Sequence, residues 1–422
     1  MEQTFQTRNG IQIYTYPNEH LHSFCIALYV KAGCLYETED TSGITHFMEH
    51  IAFRNIDHIM EHHLYEYLDS HGLSFNATTY KEFVQFSITG SLKYFNQAAE
   101  ILTMVMHPLV LSKEELDMER QRVKAEIREY DDKSTLDYFT DQIVWKDTTL
   151  KNPIAGKKKY LNKMGKRKLS QAHKEMYTTD HIFFYLTGAI GQEHISILCN
   201  YAEKYQLASS ESERTNIAPV PNNFFRRNGQ IEIKKNDIYY IRFSFDVDTS
   251  KYTQAEIDLF YDILFAGQSG MIYQELSEKR GLIYSHDARI EQYNNIGNLH
   301  FSFEVQQASV LTAIEVVIQE LHKLKKEFTR NLSCITAPYV DNALMMCDNA
   351  EDMNWTFAYE NHILNCNYAD IYQRIQAYDS VTSERLMEIA QEILTVPNLL
   401  LTLKGKKKKI ETDKIKKIIE TL

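Results

Sequence analysis

The sequence predicts an α+β protein of two similar domains, each an antiparallel-rich β-sheet packed with helices. Three observations point there. The order strand, helix, strand pair, long helix occurs once in the first half of the chain and again in the second. A polar stretch, residues 207–228, separates the two runs. The length, 422 residues, suffices for two cores of ordinary size. The expected division is therefore 1–206, a linker at 207–228, and 229–422, with the halves related by an old duplication.

In the first half, residues 11–16 and 24–32 run in short apolar or alternating blocks, such as Phe24-Cys25-Ile26-Ala27-Leu28-Tyr29-Val30, and read as strands. A helix follows from residue 44, and a second is expected at about 57–70. Leu73–Thr79 and Phe83–Ile88 read as a strand pair around Tyr80-Lys81-Glu82. A long helix starts at Ser112, where Ser112-Lys113-Glu114-Glu115 has the capping-box form, and runs to about 130. More helix is expected across 135–178, then a strand at Ile182–Gly188 and a helix at 191–204. The polar run Ala208–Asn216, followed by two prolines and two asparagines, marks the linker. Beyond it the order restarts: a strand at 238–245, a helix at 254–265, a glycine-containing turn, a helix at 271–280, strands near 283–290 and 297–305, and a long helix at 309–328.

Composition narrows the class. With 44% hydrophobic and 24% charged residues the chain reads as an ordinary globular protein, and no run of eighteen apolar residues suggests a membrane span. Met1-Glu2-Gln3-Thr4-Phe5 has neither a basic-then-apolar signal nor an Arg/Ser-rich transit pattern, so a cytoplasmic location is expected. Six scattered cysteines without a Cys-x-x-Cys pair then read as reduced thiols. A net charge of −11 argues against nucleic acid as the main partner. The local exception, Lys404-Gly405-Lys406-Lys407-Lys408-Lys409, reads as a surface turn before a final charged helix. The abundant aromatics (27 Tyr, 21 Phe) suit core packing and also a cavity that holds extended peptides.

The chemistry is concentrated in Thr45-His46-Phe47-Met48-Glu49-His50-Ile51. On a helix, positions i, i+3 and i+4 share a face, so His46, Glu49 and His50 point the same way. Two imidazoles one turn apart can grip one Zn²⁺, and a carboxylate between them can take the proton of an attacking water. The order His-x-x-Glu-His inverts the commoner zinc-protease pattern. Ile44, Phe47, Met48 and Ile51 form an apolar stripe that should bury the helix. The plainer alternative is a helix whose histidines only hydrogen-bond to backbone. A second complete copy, His58-Ile59-Met60-Glu61-His62, lies twelve positions on. There Met60, Leu64 and Leu68 make the stripe, and His58, Glu61, His62, His63 and Glu66 read as a solvated flank, which ranks this copy below the first.

A catalytic zinc takes three protein ligands and leaves one position open. The helix at 112–130 offers Glu114, Glu115, Glu119, Glu126 and Glu129; Glu119 and Glu126 lie two turns apart on one face beside Leu116 and Val123. Residue types alone do not choose among them.

Over nearly its whole length the chain resembles the peptidase family of pitrilysin, insulin-degrading enzyme and the mitochondrial processing peptidases. Glu126 lies 76 positions after His50, close to that family's spacing to its third ligand. Ala32-Gly33 and Tyr36-Glu37-Thr38, leading to Gly43–Phe53, are similar to its zinc segment. Phe75-Asn76-Ala77-Thr78-Thr79 with Glu82 resembles its Asn-Ala-x-Thr strand. Phe265-Ala266-Gly267, Tyr273-Gln274-Glu275-Leu276 and Glu278–Ser285 resemble its second-domain signature. Size and layout match the short, dimer-forming branch.

The resemblance implies zinc, one per chain, held by His46, His50 and Glu126, with Glu49 as general base and Glu119 orienting a ligand histidine. It implies that Phe75, Asn76, Ala77 and Thr78 form an edge strand that pairs with extended substrate. It implies that Tyr284 stabilises the tetrahedral intermediate. One departure stands out: the arginine the family places seven positions before that tyrosine is Ser277 here, and Arg280 sits at a different helical angle. In the dimeric branch the Arg/Tyr pair comes from the partner's C-terminal domain. The expected protein is thus a zinc metalloendopeptidase acting on short unstructured peptides as one half of a clamshell. Its partner would be a homologous subunit lacking the zinc motif or, failing that, a second copy. The roles compared are a leader peptidase in bacteriocin maturation, a general oligopeptide-degrading peptidase and a non-catalytic scaffold subunit.

Overall fold

Two mixed sheets frame the chain in the computed structural model, which describes residues 1–129, 135–210, 214, 217–265, 267–328 and 330–422. Residue 130, part of the expected linker and Ala266 lie outside the described residues. Strands β1 (Gln3–Gln6), β2 (Gln12–Pro17), β3 (Ser23–Val30), β4 (Ser74–Thr79), β5 (Val84–Ser91) and β6 (Ile182–Gly188) form the first sheet, in the order β1-β2-β6-β3-β5-β4. Strands β7 (Gln230–Lys235), β8 (Tyr239–Val247), β9 (His286–Gln292), β10 (Gly297–Val305) and β11 (Leu399–Gly405) form the second, in the order β7-β11-β8-β10-β9. Without β1, the two orders correspond strand for strand. Each sheet is antiparallel except for one parallel pair at the same place, β2/β6 and β7/β11. The two-domain α+β repeat expected from the sequence is present in the topology.

Helix α1 (Ile44–Ile59) lies on the first sheet and buries Ile44, Phe47, Met48, Ile51 and Ile56, the apolar stripe read from its spacing. Its first residues need hydrogen-bond acceptors that Gly43 cannot supply. Glu37 supplies them from the preceding loop, accepting from Gly43 N at 2.8 Å and Thr45 N at 3.0 Å. Position 43 requires glycine: its φ is 87°, and a Cβ there would stand 2.7 Å from the Ala155 carbonyl oxygen. That close crossing brings the 151–159 loop against the start of α1. Helix α2 (Leu64–His71) leads into β4, and α3 (Phe95–Thr103) packs on β3 and β5. Helix α4 (Lys113–Glu129) begins with the expected box: Ser112 N donates to Glu115 Oε2 at 2.8 Å, and Glu115 N to Ser112 Oγ at 3.2 Å. It packs on α1 and buries only Leu116, Glu119 and Val123.

Several elements differ from expectation. The helix expected at 57–70 is split, because α1 runs on to Ile59 and then reverses before α2. The helix expected at 271–280 is helical only at Met271–Tyr273 and continues as a π turn, Gln274–Glu278. β3 stops at Val30, and β9 begins at His286. Strands β1, β7 and β11 were not foreseen. β1 and β7 are short and carry no buried residue, whereas β11 is an apolar run of the kind that a buried strand and a buried helix share.

The helices cross between the halves. Helix α5 (Leu136–Val144), from the first half, lies on β8 and β11 of the second sheet. There buried Arg242 donates to Asp137 at 2.6 Å and Asp141 at 3.1 Å, and the Thr140 and Thr402 hydroxyls meet at 2.7 Å. In return the helix Ala350–Ala358 lies on β3 and β6. Its Asn354 accepts from Tyr29 OH at 3.1 Å and donates to the Tyr185 carbonyl at 2.8 Å, while Phe357 stacks on Tyr16. Each sheet thus has one face covered by a helix from the other half. Among the described residues, no helix is long and apolar enough to cross a membrane.

Candidate metal centre

Helices α1 and α4 run side by side, and their facing side chains meet. His46 Nε2 lies 3.5 Å from Glu126 Oε1, and His50 Nε2 lies 3.3 Å from Glu126 Oε2. One donor atom from each of His46, His50 and Glu126 falls within 4.8 Å of the others. A tetrahedral cation with bonds of about 2.0–2.1 Å has donor–donor edges of about 3.3 Å. Two imidazole nitrogens and one carboxylate at these separations therefore fit zinc, in a set of three that leaves the fourth position open.

The surroundings prepare the donors unequally. Burial, with His50 beside it, pulls the His46 imidazole down to about 4, so it is neutral and offers a lone pair at physiological pH. Burial also pushes His50 down, but the Glu119 hydrogen bond and the charges of Glu49, Glu119 and Glu126 outweigh it and leave His50 above its ordinary value. A cation replaces that proton and inherits the same carboxylates. Glu119, buried on α4, accepts from His50 Nδ1 at 3.1 Å and is itself held by Arg122 at 3.3 Å. Such a carboxylate behind a ligand imidazole fixes the ring and its tautomer. His46 Nδ1 is buried with no partner among the described residues.

Glu49 stands on the same face of α1 without joining the donor set. Its Oε2 accepts a 2.6 Å hydrogen bond from Thr79 Oγ1 of β4. Burial raises the Glu49 carboxyl; the Thr79 hydroxyl and the His50 charge draw it part of the way back. The result is a proton acceptor held in place and poised above an ordinary surface glutamate.

His46, Glu49, His50, Thr79 and Glu126 open into one cavity of about 1240 Å³. β4 forms one wall and is an edge strand of its sheet. Of the expected substrate strand, Ala77 and Thr78 line the cavity. Phe75 instead packs on Phe53 of α1, and Asn76 is exposed, donating to Ser74 Oγ at 3.1 Å. Tyr284 is not brought to the cluster: its loop leaves the π turn for the surface, its side chain is 93% exposed, and it is not among the residues lining the cavity. Arg280 is occupied by Glu275, including a 3.1 Å bond to its carbonyl oxygen, and Ser277 is half-buried on the π turn. The second half contributes Arg289 of edge strand β9.

Two participants escaped the sequence reading. Thr79 was within reach of it, since the alternation along β4 puts Thr79 on the same face as Ala77. Arg289 was not, because its position depends on how the two sheets are placed. The second His-x-x-Glu-His copy straddles the far end of α1: the His58 and His62 side chains are 39% and 60% exposed, more open to water than His46 and His50.

The family model described as Insulinase (Peptidase family M16) matches residues 14–158, and that described as Peptidase M16 inactive domain matches residues 163–332. The chain belongs to the M16 peptidase family. It is 24% identical over 394 residues to an uncharacterized zinc protease of Rickettsia bellii, covering 92% of this chain and 90% of that protein. Its fold is similar to that of a protease from Helicobacter pylori, with a TM-score of 0.84 at 18% identity, covering 96% and 99% of the two chains. It is also similar to the peptidase M16 inactive domain from Pseudomonas fluorescens, with a TM-score of 0.82 at 14% identity, covering 96% and 98%.

Proposed function

We propose that the chain is a zinc metalloendopeptidase that cleaves short unstructured peptides. The observation that carries this reading is the convergence of His46, His50 and Glu126 within 4.8 Å, with Glu49 beside them and outside the donor set. Zinc held by these three donors supplies a Lewis acid for the scissile carbonyl and the attacking water. Glu49 accepts the proton of that water and returns it to the leaving amine. Glu119 keeps His50 oriented, and Thr79 keeps Glu49 oriented. The free edge of β4 receives the substrate as an added strand, with Phe75, Asn76, Ala77 and Thr78 giving it register. The halves of the chain, 1–206 and 229–422 joined by 207–228, act as one side of a clamshell in the cytoplasm.

The finer reading is that this is the zinc-bearing half of a pair whose metal-free homologue completes the site. Two features support it: Ser277 in the arginine position and Arg280 occupied by Glu275; Tyr284, on the surface away from the cavity, suits completion of the site by another subunit of either kind. In this the chain resembles the zinc peptidase of subtilosin-type bacteriocin gene clusters, which works with a metal-free sister. We assign it the role of a leader peptidase in bacteriocin maturation.

Two variants test the metal assignment. His50→Ala should lose both tightly bound zinc and peptide cleavage, and His62→Ala should keep both, as measured by metal content after exhaustive dialysis and by turnover of an unstructured peptide. Loss of the tight zinc in His62→Ala instead would put the metal at the wrong end of α1.

A further inference from the structure

The contacts between α1 and α4 do not stop at the first cluster. Moving along the pair, His46 and His50 face Glu126, His50 and Arg54 face Glu119, and His58 Nδ1 meets Glu115 Oε1 at 2.9 Å. At that point α1 ends. Glu61 N donates to the His58 carbonyl at 3.1 Å and His62 N to the Asp57 carbonyl at 2.7 Å, with Glu61 in the left-handed conformation at φ 53°. This paired closure is the Schellman pattern, and it folds the chain back over the last turn of the helix. His62 thereby returns to within 5.9 Å of His58, ring centre to ring centre. His58, His62 and Glu115 each offer a donor atom, and the three atoms lie within 4.8 Å of one another, as in the first cluster.

A second observation separates this from a chance surface grouping. Asp57, 5% exposed, sits behind His62 and takes its Nδ1 at 3.0 Å. The other carboxylate oxygen of Asp57 is buried with no hydrogen-bond partner among the described residues. A buried carboxylate of this kind fixes an imidazole and leaves Nε2 as its free donor, which is what Glu119 does for His50. Two imidazoles and one carboxylate are again a donor set suited to zinc.

We propose that His58, His62 and Glu115 form a second divalent-cation site, of the zinc class, that ties the end of α1 to the first turn of α4. It is not a second catalytic centre. Glu61, which occupies the sequence place of Glu49, is exposed and lies beyond the helix in the left-handed turn, so it does not stand to these donors as Glu49 stands to the first set. The site is more open to water than the first, so it binds more weakly and empties first on dialysis. Because α1 and α4 also carry the first donor set, a cation here clamps the same two helices about three turns farther along.

The test is zinc stoichiometry of the full chain dialysed against graded concentrations of free zinc chloride, with metal measured in the separated protein. The wild type should approach about two zinc ions per chain, in two separable steps. His58→Ala and His62→Ala should each saturate at about one ion, and His50→Ala should retain the weaker step while losing the tighter one. Saturation of the wild type at about one ion would overturn the proposal. So would a second ion that persists in the His58→Ala/His62→Ala double variant.

Discussion

The Thr79 hydroxyl holds the proposed base with a short hydrogen bond, and that bond has a measurable consequence. A hydroxyl donating to a carboxylate favours the ionised form, so removing it raises the pKa. Thr79→Val, nearly the same shape, should shift the acidic limb of the kcat/KM profile upward by about one to two pH units, in line with about 1.5–3 kcal/mol for a hydrogen bond to a charged group. Zinc content should not change. An unshifted acidic limb would mean that Thr79 does not set the ionisation of Glu49. At this scale the sequence was legible where the geometry is local. His46, Glu49 and His50 share a face by helical spacing alone. Choosing Glu126 among five glutamates required the register between α1 and α4, which no local pattern encodes; only the family spacing pointed to it.

At the scale of elements, the turn between β4 and β5 couples the site wall to the second half. Lys81 Nζ meets Glu291 Oε1 at 2.5 Å, and Glu291 also accepts from Trp145 at 3.0 Å and Tyr293 at 2.6 Å. Glu82, next in the chain, is buried with one oxygen unpartnered; burial, with Glu291 nearby, pushes its carboxyl up to about 8. Between the ordinary carboxylate value and 8 the folded state therefore binds more protons than the unfolded state, and stability falls as pH rises through that window. Glu82→Gln removes the ionisation. Urea unfolding should find the variant close to wild type at pH 5 and more stable at pH 8, by about 1–3 kcal/mol. Equal stability at both pH values would contradict a protonated Glu82. The limits of sequence reading at this scale show in α1 and α2. A single apolar stripe suggested continuous helix across 57–70, but the left-handed turn at Glu61 uses a residue type that gives no warning, where glycine would have.

At the scale of the molecule, the repeat was legible because strand and helix order survive in the sequence after side chains diverge. The crossing of α5 and of the Ala350–Ala358 helix was not, since which sheet a helix covers depends on long-range packing. The same repeat makes the halves unequal in chemistry. The counterpart of α1 in the second half, Gln254–Phe265, carries no histidine, and the second half's contribution to the cavity is Arg289. Alone, then, the chain should be a weak peptidase. Mixing it with a metal-free homologue that supplies an arginine and a tyrosine should raise kcat/KM by about 10²–10³-fold, the scale of one oxyanion donor. The gain should vanish when that homologue's arginine is removed, and Tyr284→Phe in this chain should change little. Full activity of the chain alone that is lost in Tyr284→Phe would refute the split site.

The central claim is that His46, His50 and Glu126 hold zinc while Glu49 moves the proton. Glu49→Gln separates those roles in one protein, because it leaves all three donors and the Thr79 contact in place while removing the basic oxygen. The decisive measurement is tight zinc content and peptide turnover on the same preparation of Glu49→Gln, with the partner present if the wild type requires it. The account predicts about one tightly bound zinc per chain and turnover lower by about 10²–10⁴-fold or more. Cleavage at the wild-type rate, or loss of the zinc itself, would contradict it.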